Sequence, residues 1–332
     1  MLMVILGAGA SYDSISSLDP KEKPHVGVRP PLAKDLFDNN TNFRKILQRY
    51  PECHPIITYL EQAPSGDPIE LTLGRLDTES NNDPERKKQL LAIRYYIRDL
   101  IRECNSKWPE QAGGVLNHKT LFDQIRPFQP AVIVTFNYDT LMERAFKTPP
   151  KITKDYLDSA GISILKMHGS TNWVQVVDGI PHYSDKPELS GADLIASAAR
   201  LEFKEVIHES EVKSHNGPGH VTPHHVPAVA LPIAEKREFV CPQEHLSFLN
   251  QALPKVTKIV IIGWRGAEAN FTDLLKDRLG SVKAIAACGG LDEAGKTLNR
   301  LKDAGIRGDF ESTTFGFTEL VRSRQIEKFL AS

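Results

Sequence analysis

The chain has 332 residues, with 41 Lys plus Arg against 42 Asp plus Glu and a formal net charge of -1 at pH 7. That balance excludes a general electrostatic pull toward nucleic acid or an anionic membrane surface. Hydrophobic residues make up 40% and charged residues 25%, and no apolar run approaches the roughly 20 residues of a membrane span, so a globular chain with a sizeable core is expected.

The first apolar run begins at Leu2, which leaves no room for a cleavable leader, and a cytoplasmic location is expected. Four cysteines, Cys53, Cys104, Cys241 and Cys288, lie far apart with no C-x-x-C pair. Neither a zinc ribbon nor a disulfide scaffold is expected, and no metal site is assigned.

In chain order, short Val- and Ile-rich runs predict buried strands at Leu2 to Leu6, Ala131 to Phe136, Ile162 to Met167, Lys258 to Ile262 and Lys283 to Ala287. Helical spacing lies between them. Residues 84 to 104 carry Leu90, Ile93, Ile97, Leu100, Ile101 and Cys104 at steps of three or four, the pattern of a core-facing helix. A shorter helix is predicted from Asp139 or Thr140 through "LMERAF", with either residue as its cap. Another is predicted after Pro242. Strands alternating with helices define an α/β fold, a Rossmann-like doubly wound parallel sheet. One domain spanning 1–332 is expected, with a helical insertion over about 32–127 and a mixed, loop-rich insertion over about 171–256.

Each predicted strand ends in residues that a pure core would not select: "GAGAS", "NYD", "HGS", "GWRGAE" and "CGG". Ligands of open parallel sheets bind outside the carboxyl ends of the strands. Gly7 and Gly9 permit a tight turn that brings backbone amides to a pyrophosphate, although Tyr12 stands where a dinucleotide fingerprint carries its third glycine. A bend without a ligand is the alternative. Asn137 and Asp139 alternate with Tyr138, so an amide and a carboxylate can face one ligand; Asp139 can equally be a helix cap. His168, at a strand end and followed by glycine, is a candidate general base. The stretch 208–225 carries five histidines, including His208, His215, His220, His224 and His225, and is either a metal site or a mobile lid.

Taken in order, "GAGAS", "TFNYD", "HGS" and "IIGWRGAE" resemble the motifs of the sirtuin-like NAD-binding family, over most of the chain from Leu2 to about Cys288. The two C-x-x-C pairs of lysine deacylases are missing, and "VGVRPPLAKDLF" at 26–37 resembles the sirtuin-like effectors of bacterial antiphage defence. The resemblance implies an NAD hydrolase acting in abortive infection, with NAD as substrate and nicotinamide and ADP-ribose as products. By the same resemblance, Asn137 contacts the nicotinamide ribose and orders the attacking water, Asp139 holds the carboxamide, and His168 accepts a proton. Gly7, Ala8, Gly9, Ala10 and Ser11 donate to the pyrophosphate, while Gly263, Trp264 and Glu268 bind the adenosine ribose and phosphates. Arg265 is a phosphate ligand or a plain surface arginine, and Cys288 is a small buried residue near the adenine rather than a nucleophile. A homo-oligomer is expected, as is a separately encoded sensor such as a HerA-type ATPase. The alternatives are NAD-dependent protein deacylation or ADP-ribosylation and, from another class, a non-catalytic nucleotide sensor.

Overall fold

The computed structural model describes residues 1–16, 27–62, 68–157, 161–180, 189–215, 223–233 and 238–332. Nine strands appear among them: β1 (Leu2–Leu6), β2 (Ala131–Thr135), β3 (Ile162–Lys166), β4 (Gly169–Asp178), β5 (Glu202–His208), β6 (His224–Val229), β7 (Lys258–Ile262), β8 (Val282–Ala287) and β9 (Gly308–Ser312). Six form an all-parallel sheet in the order β3-β2-β1-β7-β8-β9, and β5-β4-β6 form a separate antiparallel sheet. The parallel order is that of a Rossmann-like doubly wound fold, with its reversal between β1 and β7.

Both faces of the large sheet are covered, which is why its central strands read as unbroken apolar runs. Leu2, Val4 and Leu6 face a core completed by the helix Asn117–Ile125 and the C-terminal helices Phe317–Arg322 and Gln325–Ala331. Met3 and Ile5 face the opposite core with the helices Gln243–Ala252, Ala269–Arg278 and Leu291–Asp303. The helix predicted after Pro242 is the first of these, and Pro242 is its N-cap. A third core joins helices between 41 and 112 to the antiparallel sheet through Tyr96, Ile97, Val177, Val226 and Val229.

The predicted helix at 84–104 is longer, Pro84–Ala112, and holds Pro109 in its interior. Proline removes the amide that would bond the carbonyl four residues earlier. That carbonyl, Asn105 O, instead accepts from Arg144 Nη2 at 2.6 Å.

Two expectations are corrected. No α-helix begins at Asp139 or Thr140; only a short 3-10 turn, Glu143–Ala145, forms there. Lys166 Nζ donates to Asp139 O, the carbonyl that would have opened the helical ladder, and Asp139 Oδ1 takes the Leu141 amide at 3.0 Å. The parallel sheet has a sixth strand, β9, whose mostly exposed "GDFES" carries no apolar signature. Of the histidine-rich stretch, His208 ends β5 and His224 and His225 open β6, while His220 lies outside the described residues. Among the described residues no group of three or more His, Cys, Asp or Glu is placed to hold a metal ion.

Candidate active site

The carboxyl ends of β1, β2, β3 and β7 converge because their registers are aligned: Leu6 pairs with Thr135 and with Ile262, and Thr135 pairs with Lys166. Asn137 and His168 each lie two residues beyond these pairs, in the segments that follow the adjacent strands β2 and β3.

The glycines of "GAGAS" answer to a close backbone approach. A Cβ on Gly7 would lie 2.5 Å from Gly263 O, and one on Gly9 would lie 2.8 Å from Gly263 Cα. Gly263 itself has φ +62°, and its Cβ would come to 2.3 Å from Ala10 N. The turn after β1 and the loop after β7 are thus pressed together at the reversal of strand order. Three of the five turn amides are already used: Gly7 N donates to Ile262 O at 3.0 Å, Gly9 N to Gly263 O at 3.1 Å and Ala10 N to Gly7 O at 2.8 Å.

Ser11, Asn137 and Asp139 come together as one buried network. Asn137 Nδ2 donates to Gly7 O at 2.9 Å and to Ser11 Oγ at 2.8 Å. Ser11 Oγ donates its proton to Asp139 Oδ2. Both Asn137 amide protons and the single Ser11 hydroxyl proton are therefore committed inside the protein, which leaves Asn137 Oδ1 as the acceptor for a water. Asp139 spends its two oxygens on Ser11 and on the Leu141 amide.

His168 is 2% exposed and sets its ring edge-on to Phe136, with centroids 4.8 Å apart. Phe136 in turn stacks on Trp264 at 5.6 Å and meets Phe271 edge-on at 5.0 Å. Trp264 Nε1 donates to Glu268 Oε2 at 2.6 Å, so Trp264 is a buried wall and Glu268 is the group it orients. Arg265 is exposed and pairs with Glu70 of the helix Ile69–Glu79 at 3.3 Å. Cys288 is buried, its Sγ donates to Trp264 O at 3.2 Å, and burial raises its pKa, which keeps it a thiol. A surface cavity of 310 Å³ lined by Leu157, Gln243, Glu244, Ser247, Phe248 and Gln251 includes none of these strand-end residues.

Other residues support the site that the motif reading did not single out. Lys166, buried at the end of β3, donates to Asp139 O and to Glu143 Oε1, the latter at 2.8 Å. Glu143 also accepts from Tyr156 OH at 3.2 Å, and Asn172 Nδ2 donates to Tyr156 OH at 3.1 Å. A lysine closing an otherwise apolar strand, "ISILK", is the signal that marks it. Tyr12 carries Arg29, whose guanidinium lies 3.8 Å from the tyrosine ring centroid and whose Nε donates to Tyr12 O at 2.8 Å. Tyr138 OH donates to Ala230 O at 2.8 Å, and its phenol lies within electrostatic reach of Glu268, Arg94 and Glu70.

No family model and no curated protein matches the chain. The geometry alone defines the class: a Rossmann-like protein with a buried amide, carboxylate and imidazole beyond the carboxyl ends of β2 and β3 of its parallel sheet.

Proposed function

We propose that the chain is an NAD hydrolase that cleaves the nicotinamide N-glycosidic bond to give nicotinamide and ADP-ribose. The observation that carries this reading is that Asn137 and His168 each follow the carboxyl end of one of two adjacent strands, with Ser11 and Asp139 fixing the Asn137 amide. Glycosidic cleavage proceeds through an oxocarbenium-like state, so positioning of substrate and water supplies most of the rate. With its donors committed, Asn137 offers Oδ1 to hold a water against the ribose carbon. His168 accepts the proton that this water or a ribose hydroxyl gives up. Water oxygen bonds to the ribose carbon, nicotinamide leaves with the electron pair of the broken C–N bond, and the water's second proton goes to His168 and then to solvent.

The resemblance to sirtuin-like defence effectors supports a role in abortive infection, with NAD depletion released by self-assembly or by a separate partner such as a HerA-type ATPase. Purified protein, alone and with any genomically adjacent ATPase, is incubated with NAD, and nicotinamide, ADP-ribose and deacylated peptide are quantified. Nicotinamide release abolished in both His168→Ala and Asn137→Ala is expected. Release that survives the double substitution overturns the catalytic pair, deacylated peptide favours the deacylase, and tight binding without turnover in every condition favours a sensor.

A further inference from the structure

The buried polar groups of the glycine turn do not end at Ser11. Asp13, Ser14, Asn117 and Thr318 are all buried, and a buried carboxylate needs donors. Thr318 supplies two. Its amide donates to Asp13 Oδ2 at 2.9 Å, and its hydroxyl donates to Asp13 Oδ1. Asn117 Nδ2 donates to Asp13 O and to Thr318 Oγ1, both at 2.8 Å, and Asn117 N donates to Ser14 O at 2.8 Å.

Thr318 belongs to the helix Phe317–Arg322, whose own N-cap, Gly316, has no side chain to offer. Asp13 therefore caps that helix from 305 positions away in sequence. A Cβ on Gly316 would lie 2.7 Å from Asp13 Oδ2, so a glycine there is what admits the carboxylate. On the other flank, Trp108 Nε1 donates to Ser14 Oγ at 2.9 Å, and the Arg29 guanidinium lies 3.8 Å and 5.4 Å from the ring centroids of Tyr12 and Trp108.

These contacts grip the chain immediately after Ser11. Asp13 N donates to Gly9 O at 3.0 Å and closes the five-residue helix Ala8–Tyr12 that carries Ser11. A helix this short has no stability of its own and takes its orientation from whatever holds its ends. Ser11 in turn joins Asn137 Nδ2 to Asp139 Oδ2.

We propose that Asp13 is a positioning residue of the strand-end site: by anchoring the glycine turn to the C-terminal helix Phe317–Arg322, it sets where Ser11 stands and, through Ser11, the Asn137 amide and the Asp139 carboxylate. Its effect on turnover rests on the hydrolase reading; its hold on Asn137 and Asp139 does not. A remote reporter exists at Leu141, whose amide bonds the other oxygen of Asp139 at 3.0 Å.

Hydrogen exchange of the ligand-free full chain, resolved by mass spectrometry over 8–14 and 137–141, tests this in wild type, Asp13→Ala, Thr318→Val, Thr318→Ser and Val321→Ala. Asp13→Ala is expected to speed exchange in both segments by about 10-fold to 100-fold, the range of a charged hydrogen bond lost. Thr318→Val keeps the backbone donor but loses the hydroxyl, and is expected to speed both by at least about 3-fold, with Thr318→Ser returning to wild type. Val321→Ala thins the core contact of the same helix without touching the cap, and is expected to leave 137–141 at the wild-type rate. With NAD, Asp13→Ala is expected to lower kcat by about 10-fold or more and to leave KM within about 2-fold. The proposal is overturned if 137–141 exchanges at the wild-type rate in Asp13→Ala or, should that variant not fold, in Thr318→Val. It is equally overturned if Val321→Ala loosens 137–141 as much, or if in an active protein the loss falls on KM alone. A wild type that never releases nicotinamide removes the hydrolase, and exchange at 137–141 then decides this inference by itself.

Discussion

Lys166 is the charged residue whose removal should cost the fold most. Its side chain and that of Glu143 are 1% and 5% exposed, and their 2.8 Å pair is joined by the lysine's hold on Asp139 O. Lys166→Met leaves a buried carboxylate with the Tyr156 hydroxyl as its remaining donor among the contacts described above. Breaking one side of such a pair costs about 3–5 kcal/mol, a large part of the roughly 5–15 kcal/mol that holds a typical domain together. Glu143→Gln keeps the acceptor for Tyr156 but strands the ammonium, and should cost a similar amount. In Lys166→Met/Glu143→Gln neither charge remains, so the loss should be smaller than the sum of the singles by about 2 kcal/mol or more. Urea unfolding followed by the fluorescence of the three buried tryptophans measures all four proteins, and Trp173, edge-on to Tyr156 at 5.2 Å, reports on the network directly. Simple additivity of the two substitutions would refute the reasoning, because it would mean that the charges do not compensate each other.

Gly263→Ala and Gly289→Ala separate backbone strain from steric overlap. Both glycines have positive φ, +62° and +66°, but a Cβ at 289 meets nothing within 4 Å whereas at 263 it strikes the Gly9–Ala10 backbone. Each should lose about 1–2 kcal/mol for the left-handed conformation, and Gly263→Ala at least about 1 kcal/mol more; equal losses in denaturant midpoints would sink the close-approach account. Burial lowers His118 and His245 from 6.5 to about 4, so both are neutral in the fold and take up protons more readily when unfolded. Their contribution is intact above pH 6.5 and is lost as pH falls toward 4, at up to about 1.4 kcal/mol per pH unit for each histidine. His245→Gln should flatten the fall in unfolding free energy between pH 7 and pH 5, and an unchanged slope would remove His245 from the explanation.

What the sequence makes legible is what depends on local pattern. Five parallel strands announce themselves because burial on both faces demands continuous Val, Ile and Leu, and the polar residues that close them mark the sheet edge where the site forms. Strand β9 is hidden because it pairs along only one edge, with β8, and is mostly exposed, so nothing selects an apolar run. The absent helix after Asp139 shows the converse failure. "DTLMERAF" has an acceptable cap and helical residues, but Lys166, 27 positions later, takes the carbonyl that the first turn needs. The identities of Ser11, Asn137 and Asp139 can be read as candidates, yet that they satisfy one another across more than 120 residues is a tertiary fact.

That fact changes what the glycine turn is for. A dinucleotide fingerprint uses its glycines to let a ligand's pyrophosphate approach the backbone, and the third for close packing of helix on strand. Here the first two glycines bring the turn against the backbone of Gly263, and Tyr12, in the place of the third, carries Arg29 on its ring. With three of its five amides spent on internal contacts, the turn is pinned between β1 and β7 and holds Asn137 by a backbone carbonyl and a hydroxyl. Rigidity of this kind suits a water-positioning amide, whose orientation must be fixed before substrate arrives. Loss of Asn137 should therefore appear in turnover rather than in affinity.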